Sequence, residues 1–153
     1  GFTAVAGDLV GRKIARDGGE AARAVVADMR KTTDSLRSAG LDALADGLDE
    51  AARAVERGID FVLTHWRSDV RAVLAGAVPL LMLFGRAAGG WQLARGALLA
   101  QRRLAAGDGD AAFLRAKIVS ARFYADHVLS ECGGLAHMVC CGAAATLDDA
   151  AGL

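Results

Sequence analysis

VPLLMLFGRAAGGWQLARGALLAQRRL, running from Val78 to Leu104, is apolar on nearly every side for its first half, and a helix of that kind has to lie among other helices. Gly85, Ala88 and Gly89 leave a smooth strip on which a neighbouring backbone is expected to come close, while Leu81, Phe84, Trp91 and Leu98 supply bulk. This is the signature of a central packing helix, not of an active site. Pro79 has no N–H and disfavours helical backbone at Val78, so a kink or a restart is expected there.

Outward from this stretch the chain reads as further helices. Leu41, Leu44, Leu48, Ala51, Val55, Ile59, Val62 and Trp66 advance by three or four without a break, a period close to that of helices packed side by side at a shallow angle. The opposite face carries Asp42, Asp46, Asp49, Glu50, Arg53, Glu56, Arg57 and Asp60, read as a solvated surface with spaced pairs such as Asp49 with Arg53. Before it, Glu20 to Ser38 places Val25, Met29, Thr32 and Leu36 on one narrow stripe. Ala4 to Arg16 reads as a short helix stopped by Asp17-Gly18-Gly19. Ser68-Asp69 is a capping pair for a helix leading into the central stretch. After the turn Gly107-Asp108-Gly109-Asp110, the residues Phe113, Leu114, Ile118, Ala121, Tyr124, Ala125 and Val128 form a broad apolar face. Gly133-Gly134 is expected to bend or interrupt the chain before a last helical piece over Leu135–Thr146 and a frayed end. The expected fold is all-α: an up-and-down antiparallel bundle of four to six helices with a central apolar helix.

Composition agrees. With 153 residues, 54% hydrophobic but only 5% aromatic, and a single proline, the chain can bury one core and favours helix over sheet. Lysine plus arginine equals aspartate plus glutamate at 18 each, so no net field draws it to nucleic acid or to an anionic membrane. The longest uncharged run, Ala72 to Gly85, is 14 residues and contains Pro79, too short for a span of about 20 apolar residues. Cys132, Cys140 and Cys141 are odd in number and come without a signal sequence, which points to a reducing, cytoplasmic setting.

One cluster has residue types suited to chemistry: His127, Cys132, His137, Cys140 and Cys141. His137 and Cys141 stand four apart on a helix, a spacing compatible with metal ligation, yet no Cys-x-x-Cys pair accompanies them and buried cysteine commonly serves as a small hydrophobe. Packing is the reading preferred. Arg86, Arg95, Arg102 and Arg103 could form a positive face on the central helix, but arginines on a buried helix more often reach past it to water. No nucleophile elbow and no glycine-rich loop after a strand is present. No residue of this chain is assigned a catalytic, cofactor-binding or metal-binding role.

Particular words in the sequence carry more than spacing does. Asp8-Leu9-Val10-Gly11-Arg12-Lys13-Ile14-Ala15-Arg16-Asp17-Gly18-Gly19, Phe84-Gly85-Arg86, Gly89-Gly90-Trp91, Phe113-Leu114-Arg115-Ala116-Lys117-Ile118 and Ala121-Arg122-Phe123-Tyr124-Ala125-Asp126-His127-Val128-Leu129 together resemble the C-terminal region of the larger, C-terminally extended bacterial acyl-CoA dehydrogenases. The resemblance implies a parent flavoprotein using FAD, in which a glutamate of a Tyr-Glu-Gly-Thr segment takes the α proton of an acyl-CoA thioester while the flavin accepts a hydride. That segment lies ahead of the stretch matching Asp8 to Gly19, so the chain is expected to start too late to include it and to hold neither activity nor flavin.

On this resemblance, residues 1–19 are expected to be the tail of the preceding dehydrogenase core domain, residues 20–147 a C-terminal helical bundle domain, and residues 148–153 a frayed end. Its expected partners are its own dehydrogenase core and further copies in a homo-oligomer, with acyl-CoA reached through the parent, and with no nucleic acid and no membrane. Ala4 to Arg16 should then be short of partners in isolation, leaving exposed apolar surface and a tendency to self-associate. A free-standing helical scaffold or protein-binding module is the alternative; a peripheral membrane domain inserting Val73 to Leu83 is a third.

Overall fold

Three ion pairs bind the first long hairpin along its outer side, and their order shows its direction: Arg23 with Asp60 at 2.6 Å, Arg30 with Glu56 at 2.6 Å and Arg37 with Asp46 at 3.0 Å. The partners run oppositely along α2 (Glu20–Ser38) and α3 (Asp42–His65), joined by Ala39-Gly40-Leu41. The computed structural model of the protein describes residues 1–147, so the expected frayed end lies outside the described residues. Ahead of the hairpin come α1 (Phe2–Asp8) and a π-helical turn over Leu9–Ala15; after it come α4 (Val70–Ala75), α5 (Ala77–Ala105), α6 (Ala111–His127), a short 3-10 turn over Leu129–Glu131, α7 (Cys132–Cys141) and α8 (Ala143–Leu147). Among the described residues no strand occurs, and the architecture is the all-α bundle expected.

Aspartates cap the starts of α2, α4 and α6, whereas α3 and α5 begin at Leu41 and Gly76 with no side-chain cap. The Asp17 carboxylate accepts N–H bonds from Gly19 at 2.9 Å and Ala21 at 3.1 Å, while Gly19 turns the chain at φ 81°, a conformation that favours glycine. Asp69 accepts from Ala72 N–H at 3.0 Å at the start of α4, and Asp110 accepts from Ala112 at 2.8 Å and Phe113 at 3.3 Å at the start of α6. Replacing Asp110 with alanine leaves these donors to water and should lower the unfolding free energy by about 1 kcal/mol; urea denaturation checks it, and an unchanged midpoint would contradict the cap.

The core lies between α3 and α5, with α2, α6 and α7 packed around them. On α3, Leu44, Leu48, Ala51, Val55, Ile59 and Val62 are buried, and Ala45, Ala52, Ala54 and Gly58 widen that face. The contact between α3 and α5 is close because Gly58 has no side chain: a Cβ there would come within 2.6 Å of Leu80 Cδ1. On α5, Gly90 plays the same part against Leu129, whose side chain would lie 2.6 Å from an added Cβ.

Several sequence expectations shift in place. The restart falls at Gly76, not Pro79: Pro79 occupies the first turn of α5, where a missing N–H breaks no helical bond. Of the glycine strip, Gly89 meets the Tyr124 hydroxyl, but Gly85 and Ala88 face solvent and Gly90 is the buried one. The stripe of α2 is Ala22, Val26, Met29, Thr33 and Leu36; Val25 is exposed, and Thr32 sits at the edge, accepting the Trp91 indole N–H at 2.8 Å. Gly133-Gly134 interrupts nothing, since the break comes at Val128 and α7 runs straight through both glycines. Ala4 to Arg16 is not short of partners throughout: Ala6, Val10 and Ile14 are fully buried in the common core, and Trp66 lies against Gly11.

Candidate functional site

The cysteine and histidine cluster is divided by the fold. Cys132 opens α7 and is buried, Cys140 is half-buried near the Arg57 carbonyl, and Cys141 and His137 are exposed. His127 ends α6 and stacks on Phe123 with ring centroids 4.3 Å apart, away from the α7 cysteines in the sequence of elements. His137, Cys140 and Cys141 do share one shallow cavity of about 320 Å³ with Arg57, Gly133 and Ala136. Among the described residues, no group of three His, Cys, Asp or Glu side chains is placed to hold a metal ion.

Burial pushes the Cys132 thiol up to about 11, with Arg86 opposing and Glu131 adding to the shift. Burial also raises Cys140, reinforced by Cys141 and opposed by Arg57. Both therefore stay protonated at neutral pH, and a protonated thiol is a poor nucleophile and a poor ligand. The expected order of alkylation at pH 8 is Cys141 first, Cys140 next, and Cys132 only on unfolding. Mass spectrometry of iodoacetamide time points checks it, and early modification of Cys132 would contradict its burial.

The four arginines of α5 go to separate tasks. Arg86 pairs with Glu131 and accepts at its carbonyl the Tyr124 hydroxyl at 3.2 Å, so that α5, α6 and the 3-10 turn are stapled together. Burial raises the Tyr124 phenol above its ordinary value, consistent with a hydroxyl that remains a donor. Arg103 pairs with Asp108 in the turn that follows, at 3.0 Å. Arg95 lies 5.5 Å from the Trp91 ring centre, and with Arg102 and Lys31 it lines an open groove of about 260 Å³ between α2 and α5. Arg86 and Arg103 thus meet acidic partners, while Arg95 and Arg102 share the groove with Lys31.

These grooves do not fit a flavin. They are shallow and open, and at about 260 and 320 Å³ they stand on either side of the lower end of ligand-pocket volumes, roughly 300 Å³. The groove between α2 and α5 is walled by Lys31, Thr32, Ser35, Arg95, Leu98, Leu99 and Arg102, with no aromatic slot for a planar ring. What the sequence reading missed is a surface. Phe113, Val119 and Phe123 on α6, counted there among the inward-facing residues or passed over, are 58%, 66% and 61% exposed. The signal was available: Ala112, Ala116, Val119 and Phe123 advance by four, three and four, as do the inward-facing Leu114, Ile118, Ala121 and Ala125, so α6 has two apolar stripes where a solvent-facing helix has one.

Comparison with known proteins identifies the domain. Residues 25–149 match the family model described as acetyl-CoA dehydrogenase C-terminal like. The 3-methylmercaptopropionyl-CoA dehydrogenase of Ruegeria pomeroyi is 45% identical over 135 residues, which are 86% of this chain and 23% of that protein. The chain thus spans about a quarter of the length of the curated relative it matches. A helical bundle built on α3 and α5, matched by one family model over most of its length, belongs to the acetyl-CoA dehydrogenase C-terminal-like family.

Proposed function

We propose that this chain is the C-terminal helical domain of an FAD-dependent acyl-CoA dehydrogenase, and that its work in the whole protein is contact: packing on the dehydrogenase core, shaping the mouth of the acyl pocket, or joining subunits of a homo-oligomer. Residues 1–19 are, on this reading, the end of the preceding core domain and residues 20–147 the added bundle. The redox step, the flavin and the acyl-CoA site belong to the rest of the polypeptide, in the cytoplasm and in fatty-acid metabolism. The observation that carries this reading is the likeness to a named acyl-CoA dehydrogenase at 45% identity, together with the family match over residues 25–149. Arg23–Asp60, Arg30–Glu56, Arg37–Asp46 and Arg86–Glu131 tie separate elements of the bundle together, which suits a packing module.

The test is an anaerobic titration of the longer polypeptide with saturated acyl-CoA thioesters, followed by flavin absorbance. Loss of the oxidised flavin band with formation of the 2-enoyl product is the expected result. A longer polypeptide that binds no flavin, or that leaves every acyl-CoA unchanged, would overturn the reading in favour of a helical scaffold.

A further inference from the structure

The two hairpins of the bundle present unlike surfaces. Along α2 and α3 the outer side is charged and already paired across the helices by Arg23–Asp60, Arg30–Glu56 and Arg37–Asp46, and among the described residues of these two helices the one large apolar side chain exposed is Val25. On the hairpin of α5 and α6 the exposed large apolar residues are Met82 and Leu93 on α5 and Phe113, Val119 and Phe123 on α6, while the exposed Leu99 belongs to the groove beside α2. The outer stripe of α6 from Ala112 through Ala116, Val119 and Phe123 contains no charged residue. Isolated exposed apolar side chains need no explanation, but a second apolar stripe on a helix whose first stripe is already buried marks an interface.

We infer that the outer face of the α5–α6 hairpin is the surface on which the dehydrogenase core of the same polypeptide docks. This rests on the proposed function above and adds the face and the occupant. Two observations favour the core over a second copy of the bundle. The matched relative has about three quarters of its length outside the region shared with this chain, so on that reading a large protein surface is covalently attached. Attachment gives that surface an effective concentration in the millimolar range, which a separate copy does not reach in dilute solution. The N-terminal helix α1 packs on α5, one of the two helices of this hairpin, and buries Ala6 in the shared core. The stripe of Ala112, Ala116, Val119 and Phe123, flanked by the exposed Arg115, Lys117, Arg122 and Asp126, matches an apolar patch with a polar rim, the usual make-up of a protein interface.

Thiol labelling of the longer polypeptide tests this. In a Cys140→Ser, Cys141→Ser background, Val119→Cys probes the outer face of α6, and Ala27→Cys, on an exposed position of α2, serves as the reference. Both are surface changes, and circular dichroism confirms the fold of each variant. The expected result is fast modification of both sites in the isolated chain, at concentrations where light scattering shows a monomer. In the longer polypeptide the Val119→Cys site should react several-fold more slowly while the Ala27→Cys site is unchanged, and dilution should not alter the protection. Protection at Ala27→Cys alone would overturn the choice of face and leave domain packing intact. Protection at Val119→Cys that vanishes on dilution would overturn the choice of occupant, in favour of a second copy. Fast reaction at both sites would overturn docking through either face. The acyl-CoA titration is read separately, so loss of the dehydrogenase reading and loss of this docking face are distinguishable.

Discussion

Leu80→Ala should lower the unfolding free energy by about 2–5 kcal/mol, and adding Gly58→Ala to that variant should return part of the loss. Leu80 is fully buried, so truncation removes its contacts and opens a void between α3 and α5. Gly58→Ala alone should also destabilise, because its Cβ would stand 2.6 Å from Leu80 Cδ1 and overpacking of a filled core costs about 1–3 kcal/mol. Together the two changes are complementary: the new methyl occupies space that Leu80 has vacated. A double-mutant cycle in urea should therefore show a favourable coupling of about 0.5–3 kcal/mol. Strict additivity would mean that α3 and α5 do not meet at these residues.

The second large effect concerns the N-terminal segment. Ile14 is fully buried, as are Val10 and Ala6, and Ile14→Ala should cost the isolated chain about 2–5 kcal/mol. Thermal denaturation followed by circular dichroism reads this directly. For a domain of this size each kcal/mol moves the midpoint by roughly 2–4 °C, so the loss is easily seen. If residues 1–19 were a loose tail, the same substitution would leave the midpoint where it was. A large shift means that the sequence assigned to the end of the preceding domain also completes the core of this one.

How much of this was legible depends on which physical signal each element carries. The α3 stripe from Leu44 to Val62 was readable because a helix with charges on one side and Leu, Val and Ile on the other has one way to face. The cap at Asp69 was readable because a carboxylate just before an apolar run satisfies free N–H groups, whereas Asp110 reads in sequence as the end of a turn and proves also to cap α6. The α2 stripe was misplaced by one residue at two positions, since Val25-Val26 and Thr32-Thr33 offer the same residue twice in succession and only α3 and α5 choose between them. The glycines were the hardest to read. Gly85, Gly89 and Gly90 are alike in sequence, yet Gly90 receives Leu129, Gly89 receives Tyr124, and Gly85 receives nothing; the difference depends on where α6 and the 3-10 turn lie.

The candidate site follows the same logic. That cysteine near the C-terminus would serve packing was readable for Cys132, which is buried, because the residue type itself prefers burial. The outer stripe of α6 was missed because the apolar residues Phe113, Leu114, Ile118, Ala121, Tyr124, Ala125 and Val128 were pooled into one broad face. A helix of 17 residues with about 100° between successive side chains places Phe113 and Leu114 on different sides. Sorting by angle instead of by spacing alone separates an inner stripe from an outer one, and only the outer one is left without a partner among the described residues.

On the function proposed above, these helices supply contact and flavin chemistry belongs to the remaining polypeptide. Gel filtration of the purified 153-residue chain after incubation with excess FAD tests this most directly, with the visible spectrum of the protein fraction as the readout. The expected result is a folded helical protein that elutes free of flavin absorbance, with all FAD in the small-molecule fraction. Stoichiometric flavin retained by this chain and bleached by an acyl-CoA thioester would contradict it.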